Sequence, residues 1–120
     1  DMDILYTDSD HEKLVLFKND GKQSFSLIEI SRKLFGPIMT VVDINDDGKA
    51  DVVMAEDGSN EIVWLENLGD NSFNSHIINP NDDSKEAVNV MAIDINMDDK
   101  LDIVSVSKDK KTIIWYENKL

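Results

Sequence analysis

Apolar positions in this chain fall into short runs of five to seven residues, separated by clusters of Gly, Asp, Asn and Ser. The runs are rich in Val and Ile, and some are apolar at consecutive positions, as at residues 62–65. A short continuous run of this kind favours a strand that is covered on both faces of its sheet. The pattern predicts antiparallel strands joined by tight turns, and no helices.

The chain also repeats itself. Residues 43–67 reappear at 94–118, an offset of 51 residues, and a partial third copy opens the chain, where Asp3 matches Asp51 and Asp102. Four apolar runs recur across the copies, and the middle unit contains all four, which predicts a four-stranded antiparallel meander. A repeat of roughly 50 residues that carries four strands is typical of a β-propeller blade.

The predicted fold class is therefore all-β, built from propeller blades. At roughly 50 residues per blade, 120 residues give about 2.4 blades, and closed propellers have roughly four to eight. We expect one propeller segment over residues 1–120, with a partial blade at 1–35, a full blade at 36–86 and a partial blade at 87–120. Because apolar blade faces avoid water, we expect other blades to complete the ring, from the rest of a longer chain or from copies in a homo-oligomer.

The composition excludes several classes of partner and of active site. The chain holds 25 acidic and 12 basic residues, a formal net charge of −13, so nucleic acid is a poor partner. It has no Cys and two His, which excludes disulfides, thiolate zinc sites and cysteine nucleophiles. No apolar run approaches the ~18 residues of a membrane span, and no set of nucleophile, base and orienting residue is evident. We expect neither a membrane span nor an enzyme.

Two acidic loops, each after the first strand of a blade, are the candidate functional site. They share the spacing D-x-N-x-D-x-x-x-D. Oxygen ligands at positions 1, 3 and 5, a backbone carbonyl at 7 and a carboxylate at 9 suit a hard cation, and calcium fits better than magnesium or a softer metal. Position 6, where the turn requires positive φ, is Gly48 in the first loop and Asp99 in the second, which predicts a weaker or slightly reshaped second site. The candidate ligands are Asp43, Asn45, Asp47, Lys49, Asp51, Asp94, Asn96, Asp98, Lys100 and Asp102.

Two alternatives to a calcium-bearing hairpin stand beside this interpretation. An EF-hand loop carries a bidentate carboxylate at position 12 and continues into a helix, whereas this chain has Met54 and Ser105 there, preceded by β-branched residues. The other alternative is an acidic turn without metal, since Asp and Asn favour such turns by themselves. Two copies at matching repeat positions favour calcium.

The two loops, each followed by DVV or DIV, together with the segments IVWLEN and IIWYEN, make the sequence similar to the FG-GAP/VCBS repeat family of calcium-binding β-propellers. The last two segments resemble most the branch of fungal seven-bladed lectins and their bacterial relatives. The resemblance covers nearly the whole chain. It implies calcium ligation by the ten loop residues above, with main-chain carbonyls from Lys49 and Lys100, and it makes Asp3 the last ligand of a third, partial loop.

Two functions from different classes fit these observations. The first is a calcium-stabilised, secreted binding module that recognises a glycan or a protein surface, and the resemblance favours a glycan. The second is a structural propeller segment that recognises nothing and supports a larger extracellular enzyme or adhesin. An extracellular location agrees with the ion, because such loops often bind calcium at the ~10⁻⁴ to 10⁻³ M found outside cells.

Residues that are not candidate ligands are expected to have structural or surface roles. Trp64 and Trp115 stand at equivalent positions, and large rings repeated in register predict packing between blades rather than sugar binding. A solvated surface is expected at His76 and at the acidic residues Asp46, Glu56, Asp57, Asp82 and Asp83.

Overall fold

The computed structural model describes residues 2–34, 36–56, 59, 61–79, 87–107 and 111–120, which form three antiparallel sheets of consecutive strands. The first sheet contains β1 (Ile4–Asp8), β2 (Lys13–Asn19) and β3 (Phe25–Arg32). The middle sheet contains β4 (Ile38–Val42), β5 (Asp51–Ala55), β6 (Ile62–Gly69) and β7 (Ser72–Ile77). The third sheet contains β8 (Ala87–Ile93), β9 (Asp102–Ser107) and β10 (Thr112–Tyr116).

These sheets confirm the predicted all-β fold class, and the described ranges contain no helix. No helix that could cross a membrane is therefore found in the part of the chain that the structure describes. The blade boundaries at 35/36 and 86/87 stay predictions, because residue 35 and residues 80–86 lie outside the described part.

The middle sheet is buried on both faces, as its continuous apolar runs predict. On one face, named the back face here, Met54 pairs with Val63 and packs with Leu14 of the first sheet. On the other, the front face, Val53 pairs with Trp64 and packs against Ile103 of the third sheet. Alternate residues of a strand point to opposite faces, so one run of four apolar residues, at 52–55, supplies both layers of core.

Tight turns fix the register of the hairpins. Between β6 and β7, Asp70 and Asn71 have φ of 51° and 62°. Two successive residues with positive φ form a type I′ connection, whose twist matches that of the flanking strands. The polar cluster that interrupts the apolar pattern at this point therefore acts as a hairpin turn.

Three expectations about single residues have different outcomes. Trp64 packs between the middle and third sheets, as expected, whereas Trp115 lies half-exposed on the front face of the third sheet. Glu56 is buried, so its assignment to the solvated surface is wrong. Its backbone amide donates to the Glu61 carbonyl across the hairpin (2.8 Å), which places the side chain at the covered end of the sheet. Asp57, Asp82 and Asp83 lie outside the described residues.

Candidate metal centre

The two acidic loops connect equivalent strands of neighbouring sheets, β4 to β5 and β8 to β9. They line a common pocket of about 400 Å³, to which the first loop contributes Asp43 and Asn45 and the second contributes Asp99 and Lys100. Asn118, just after β10, also borders this pocket. The repeat in the sequence therefore places two equivalent loops next to each other, at the same end of neighbouring sheets.

The carboxylate at position 1 organises each loop. Asp43 accepts backbone N–H bonds from Asp47 (3.1 Å) and Gly48 (2.7 Å). In the second loop Asp94 accepts the corresponding bonds from the amides at positions 5 and 6, at 3.2 and 3.0 Å. The two loops thus have the same winding around their first residue. Side-chain oxygens that accept from amides two to five residues ahead are the usual device by which Asp starts a tight loop.

Positive φ occurs at two positions in each loop. Position 6 has φ of 82° at Gly48 and 68° at Asp99, which confirms the conformation that the sequence predicts there. Position 4 also has positive φ, 58° at Asp46 and 61° at Met97. Residues other than Gly adopt this region at some cost, so the loop geometry is maintained by its hydrogen bonds rather than by local preference.

Positions 3 and 5 continue the same pattern. The side-chain oxygen of Asn45 accepts from the Asp47 amide at 3.3 Å, and the Asp47 carboxylate accepts from the Lys49 amide at 2.9 Å. The second loop repeats both bonds, at 3.2 Å to Asn96 and 3.0 Å to Asp98. The predicted ligands therefore lie along one loop path with oxygen atoms directed toward backbone amides.

The lysines at position 7 differ between the loops. Lys49 Nζ lies 2.7 Å from Asp47 Oδ2, and this hydrogen bond lowers the pKa of the Asp47 carboxyl and raises that of the lysine. Lys100 Nζ instead donates to the carbonyl of Leu120, while Asp98 accepts from the neutral amide of Asn96 at 3.0 Å. A cation in the first loop has to displace an ammonium group from Asp47. This opposes the expectation, based on position 6, that the second loop is the weaker site.

The carboxylate at position 9 is fully buried and accepts hydrogen bonds from residues of its own sheet and loop. Asp51 accepts three hydrogen bonds, from the backbone amides of Ile44 (3.2 Å) and Asn67 (2.8 Å) and from the indole Nε1 of Trp64 (3.0 Å). A carboxylate has about four acceptor positions, so one remains for a further partner. The loop spacing predicts this residue as a calcium ligand, and nothing in that spacing signals its bonds to residues 13 and 16 positions away.

This arrangement, named the Asp–Asn clasp here, occurs in all three sheets. The Asn19 amide donates to Asp3 at 2.8 Å, and the Asn118 amide donates to Asp102 at 2.9 Å. The bond from Asn118 holds the pKa of Asp102 below its ordinary value, although burial acts in the opposite direction. The bond from an Asn amide therefore recurs at the equivalent Asp of each copy of the repeat.

The side chain of Asn118 also links two sheets. Its Nδ2 donates to the carbonyl of Leu101 in the second acidic loop (3.1 Å) and to that of Ile44 in the first (2.9 Å). The side chain of Asn67 makes the bond within its own sheet, to the Ala50 carbonyl at 3.0 Å. The Asn of the third sheet's clasp therefore also connects the two acidic loops through its side-chain hydrogen bonds.

A second contact to the first loop comes from the neighbouring strands. Glu66 accepts from the side-chain amide of Asn45 (3.3 Å), and its other oxygen lies 2.8 Å from His76 Nε2. The His76 ring stacks on Trp64 with ring centroids 4.5 Å apart. Glu66 therefore fixes the amide orientation of a predicted ligand, as residues around a metal site commonly do. Strand register brings these residues together, and no motif in the sequence marks them.

The atoms that each loop could offer to a metal show whether the loops fit calcium. Each loop offers only oxygen donors along a path wound by the same hydrogen bonds, which suits a hard cation. Within the described ranges, however, no three or more Asp, Glu, His or Cys side chains are grouped closely enough to hold a metal ion. The chemistry and backbone path of the loops fit calcium, and the convergence of their side chains on one ion stays a prediction.

Comparison with known proteins identifies the repeat. The sequence model of a family described as FG-GAP-like repeat matches residues 43–105, which include both acidic loops and the strands β5, β6 and β7 of the middle sheet. No curated protein and no solved structure matches the chain significantly.

Proposed function

Because this chain belongs to the FG-GAP-like repeat family, whose repeats form β-propeller blades, we propose that it is a calcium-stabilised segment of a secreted β-propeller that binds a glycan or a protein. The observation that carries the calcium part is the matching hydrogen-bonded winding of two oxygen-only loops in adjacent sheets. Within the family, we place the chain nearest to the lectin-like branch, on the strength of the segments IVWLEN and IIWYEN.

The proposed ion has a clear electrostatic role. Each loop contains three carboxylates at positions 1, 5 and 9, whose mutual repulsion a divalent cation offsets. The residues that would hold it are the candidate ligands of the two loops, by side-chain oxygens and, at the lysines, by main-chain carbonyls: Asp43, Asn45, Asp47, Lys49 and Asp51, and Asp94, Asn96, Asp98, Lys100 and Asp102.

We propose that the pocket between the two loops is the ligand-binding site. It is lined by the acidic residues Asp43, Asp46 and Asp99, by Asn45, Asn118 and Lys100, and by the apolar residues Ile44, Leu101 and Leu120. A mixture of hydrogen-bond acceptors, donors and apolar surface suits the hydroxyl groups and ring faces of a sugar. This composition favours the binding function over a segment that recognises nothing.

Thermal melting in chelator, calcium and magnesium tests the ion. At a hundredfold excess over Kd, calcium is expected to add about 2.7 kcal/mol per site. The Asp43→Asn and Asp94→Asn variants should each lose part of that gain. Asp46→Asn is the matched control, because it removes an exposed charge from the first loop at a position that is not a predicted ligand. Identical melting of the parent protein in chelator and calcium would exclude a structural calcium site.

Glycan-array binding, with and without chelator, tests the recognition. A calcium-dependent signal that the Asp43→Asn variant weakens is the expected result. The Asp10→Asn variant should keep it, because Asp10 is an exposed carboxylate in the turn between β1 and β2 and does not line the pocket. An array without signal in either condition excludes the glycan and favours a protein ligand or the structural role.

A further inference from the structure

The side-chain amide of Asn118 contacts both acidic loops at once. Its NH₂ group has two hydrogens to donate, and it bonds to the carbonyl of Ile44 at 2.9 Å and to that of Leu101 at 3.1 Å. Ile44 is position 2 of the first loop, and Leu101 is position 8 of the second. One side chain therefore fixes a peptide group in each loop.

The two carbonyls that Asn118 holds each stand directly before a predicted calcium ligand. The Ile44 carbonyl belongs to the planar peptide unit that leads into Asn45, and the Leu101 carbonyl belongs to the unit that leads into Asp102. Because a peptide unit is rigid, fixing its carbonyl restricts the direction in which the next residue leaves it. A displacement of either carbonyl is therefore transmitted to a ligand of the same loop.

Backbone amides extend this connection to the carboxylate at position 9 of each loop. Asp102 accepts from the Asn118 amide at 2.9 Å, and Asp51 accepts from the Ile44 amide at 3.2 Å. Ile44 is therefore held at its carbonyl by Asn118 and at its amide by Asp51. The two position-9 carboxylates, both fully buried, lie at the ends of one hydrogen-bonded path.

Apolar packing connects the same two segments of the chain. Ile44 is 8% exposed and belongs to the apolar cluster on the front face of the middle sheet, and Leu101 packs against that cluster. A loop that unwinds has to withdraw its apolar side chain from this cluster and break the Asn118 bond to its carbonyl. Each loop is therefore more stable in its wound form while the other is wound as well.

We propose that Asn118 couples the two acidic loops, so that a cation bound in one loop raises the affinity of the other for a cation. The element with two states is the loop itself, which is either wound around its position-1 carboxylate or unwound. An ion that holds one loop wound keeps the Asn118 bonds in place, so less of the second ion's binding free energy is used to order its loop. The proposal rests on the proposed calcium function for its ligand, whereas the link between the loops rests on contacts within the chain.

The size of the coupling follows from the Asn118 bonds. An intramolecular hydrogen bond changes an equilibrium constant by about 2- to 10-fold, so occupation of the first loop is expected to tighten calcium binding to the second by about that factor. Coupling between two binding equilibria is reciprocal, so occupation of the second loop should tighten the first equally. Repulsion between two bound cations acts in the opposite direction, and a cycle of variants separates the two effects.

Calcium titration by calorimetry measures the coupling. Asp43→Ala removes the carboxylate that organises the first loop, and the calcium Kd of the second loop is then expected to rise by about 2- to 10-fold. In the Asn118→Ser protein, which lacks the NH₂ group, Asp43→Ala should no longer raise that Kd. Asn67→Ser is the matched control, because the Asn67 side chain donates at 3.0 Å to the Ala50 carbonyl of its own sheet, and the full effect of Asp43→Ala should persist there.

Hydrogen exchange in chelator tests the link between the loops without any ion. The amides at positions 5 and 6 of the second loop, which donate to Asp94, report whether that loop is wound. Asp43→Ala should speed their exchange in the parent protein and in Asn67→Ser, but not in Asn118→Ser. Circular dichroism shows whether each variant is folded, and the parent protein with and without Asp43→Ala already decides whether the loops are coupled.

The outcomes of the two measurements distinguish this inference from the calcium proposal. An exchange rate in the second loop that ignores Asp43→Ala, or an effect of Asp43→Ala that is equal with and without the Asn118 NH₂ group, would overturn the coupling. Coupled exchange in a protein that binds no calcium supports the link between the loops and refutes calcium as their ligand. Calcium binding to two independent loops has the reverse meaning.

Discussion

The buried carboxylate of Asp51 offers the sharpest test of how the middle sheet is held together. Replacing it with Asn keeps the size of the side chain but exchanges one acceptor oxygen for an NH₂ group. The three donors around Asp51 belong to Ile44, Trp64 and Asn67, at 3.2, 3.0 and 2.8 Å. The new NH₂ group must face at least one of these N–H groups, so one or two charge-assisted bonds are lost and a buried donor is left without a partner.

The magnitude follows from those bonds. A hydrogen bond to a charged group contributes about 1.5 to 3 kcal/mol, and an unsatisfied buried donor costs about 1 to 3 kcal/mol. Asp51→Asn is therefore expected to destabilise the fold by about 3 to 5 kcal/mol. Since 1 kcal/mol shifts Tm by roughly 3 to 6 °C in a domain of this size, the expected fall is about 10 to 25 °C.

The assay has to separate this role from the predicted role in binding calcium. Urea and thermal unfolding are therefore measured in chelator, where only the clasp contributes. Asp46→Asn, which removes an exposed charge from the same loop, should shift Tm by a degree or two at most. If Asp51→Asn melts in chelator at the temperature of the parent protein, the clasp does not stabilise the sheet and our reasoning is wrong.

Three further predictions concern other contacts. Lys49→Gln removes the ammonium group bound to Asp47, so we expect tighter calcium binding to the first loop by calorimetry, and an unchanged or weaker affinity would contradict the competition we infer. Among the described residues, Ser105 has a buried hydroxyl oxygen without a hydrogen-bond partner, so Ser105→Ala should raise the free energy of unfolding by about 1 kcal/mol in urea titrations, and a loss of stability would show that the hydroxyl is satisfied. Hydrogen bonds from Arg32 and Lys13 lower the pKa of the Glu29 carboxyl, so its small contribution to stability is present above its ordinary pKa and is lost as pH falls through the folded value. NMR titration should give a pKa below 4.5 that rises in Arg32→Ala, and an equal pKa in both proteins would contradict this assignment.

Local patterns in the sequence predicted the features that depend on neighbouring residues. Short Val- and Ile-rich runs became β5, β6 and β9, because such residues suit strands covered on both faces. Gly48 and Asp99 have the positive φ that position 6 of the loop requires. The repeat also established that the two loops are equivalent, which their matching hydrogen bonds confirm.

Features that depend on pairing between strands could not be predicted from local patterns in the sequence. The bonds of Asp51 to Trp64 and Asn67 could not be predicted, because they form only when β5 and β6 are in register, and its role as a calcium ligand stays a prediction. Glu66 and His76 approach the first loop for the same reason, since no spacing along the chain signals their contact. Glu56 was expected on the solvated surface because it is charged. It is buried because it follows a strand that is covered on both faces.

The Asp–Asn clasps have a consequence for the order of folding. Each clasp joins residues only 16 positions apart, so closing it orders a short loop at little entropic expense. The contacts between sheets span longer stretches, and the side-chain hydrogen bonds between described residues of different sheets include those from Lys18 to Asn71 and from Asn118 to Ile44, across 53 and 74 positions. Because such long-range contacts close larger loops, we expect the docking of the sheets on one another to limit the refolding rate.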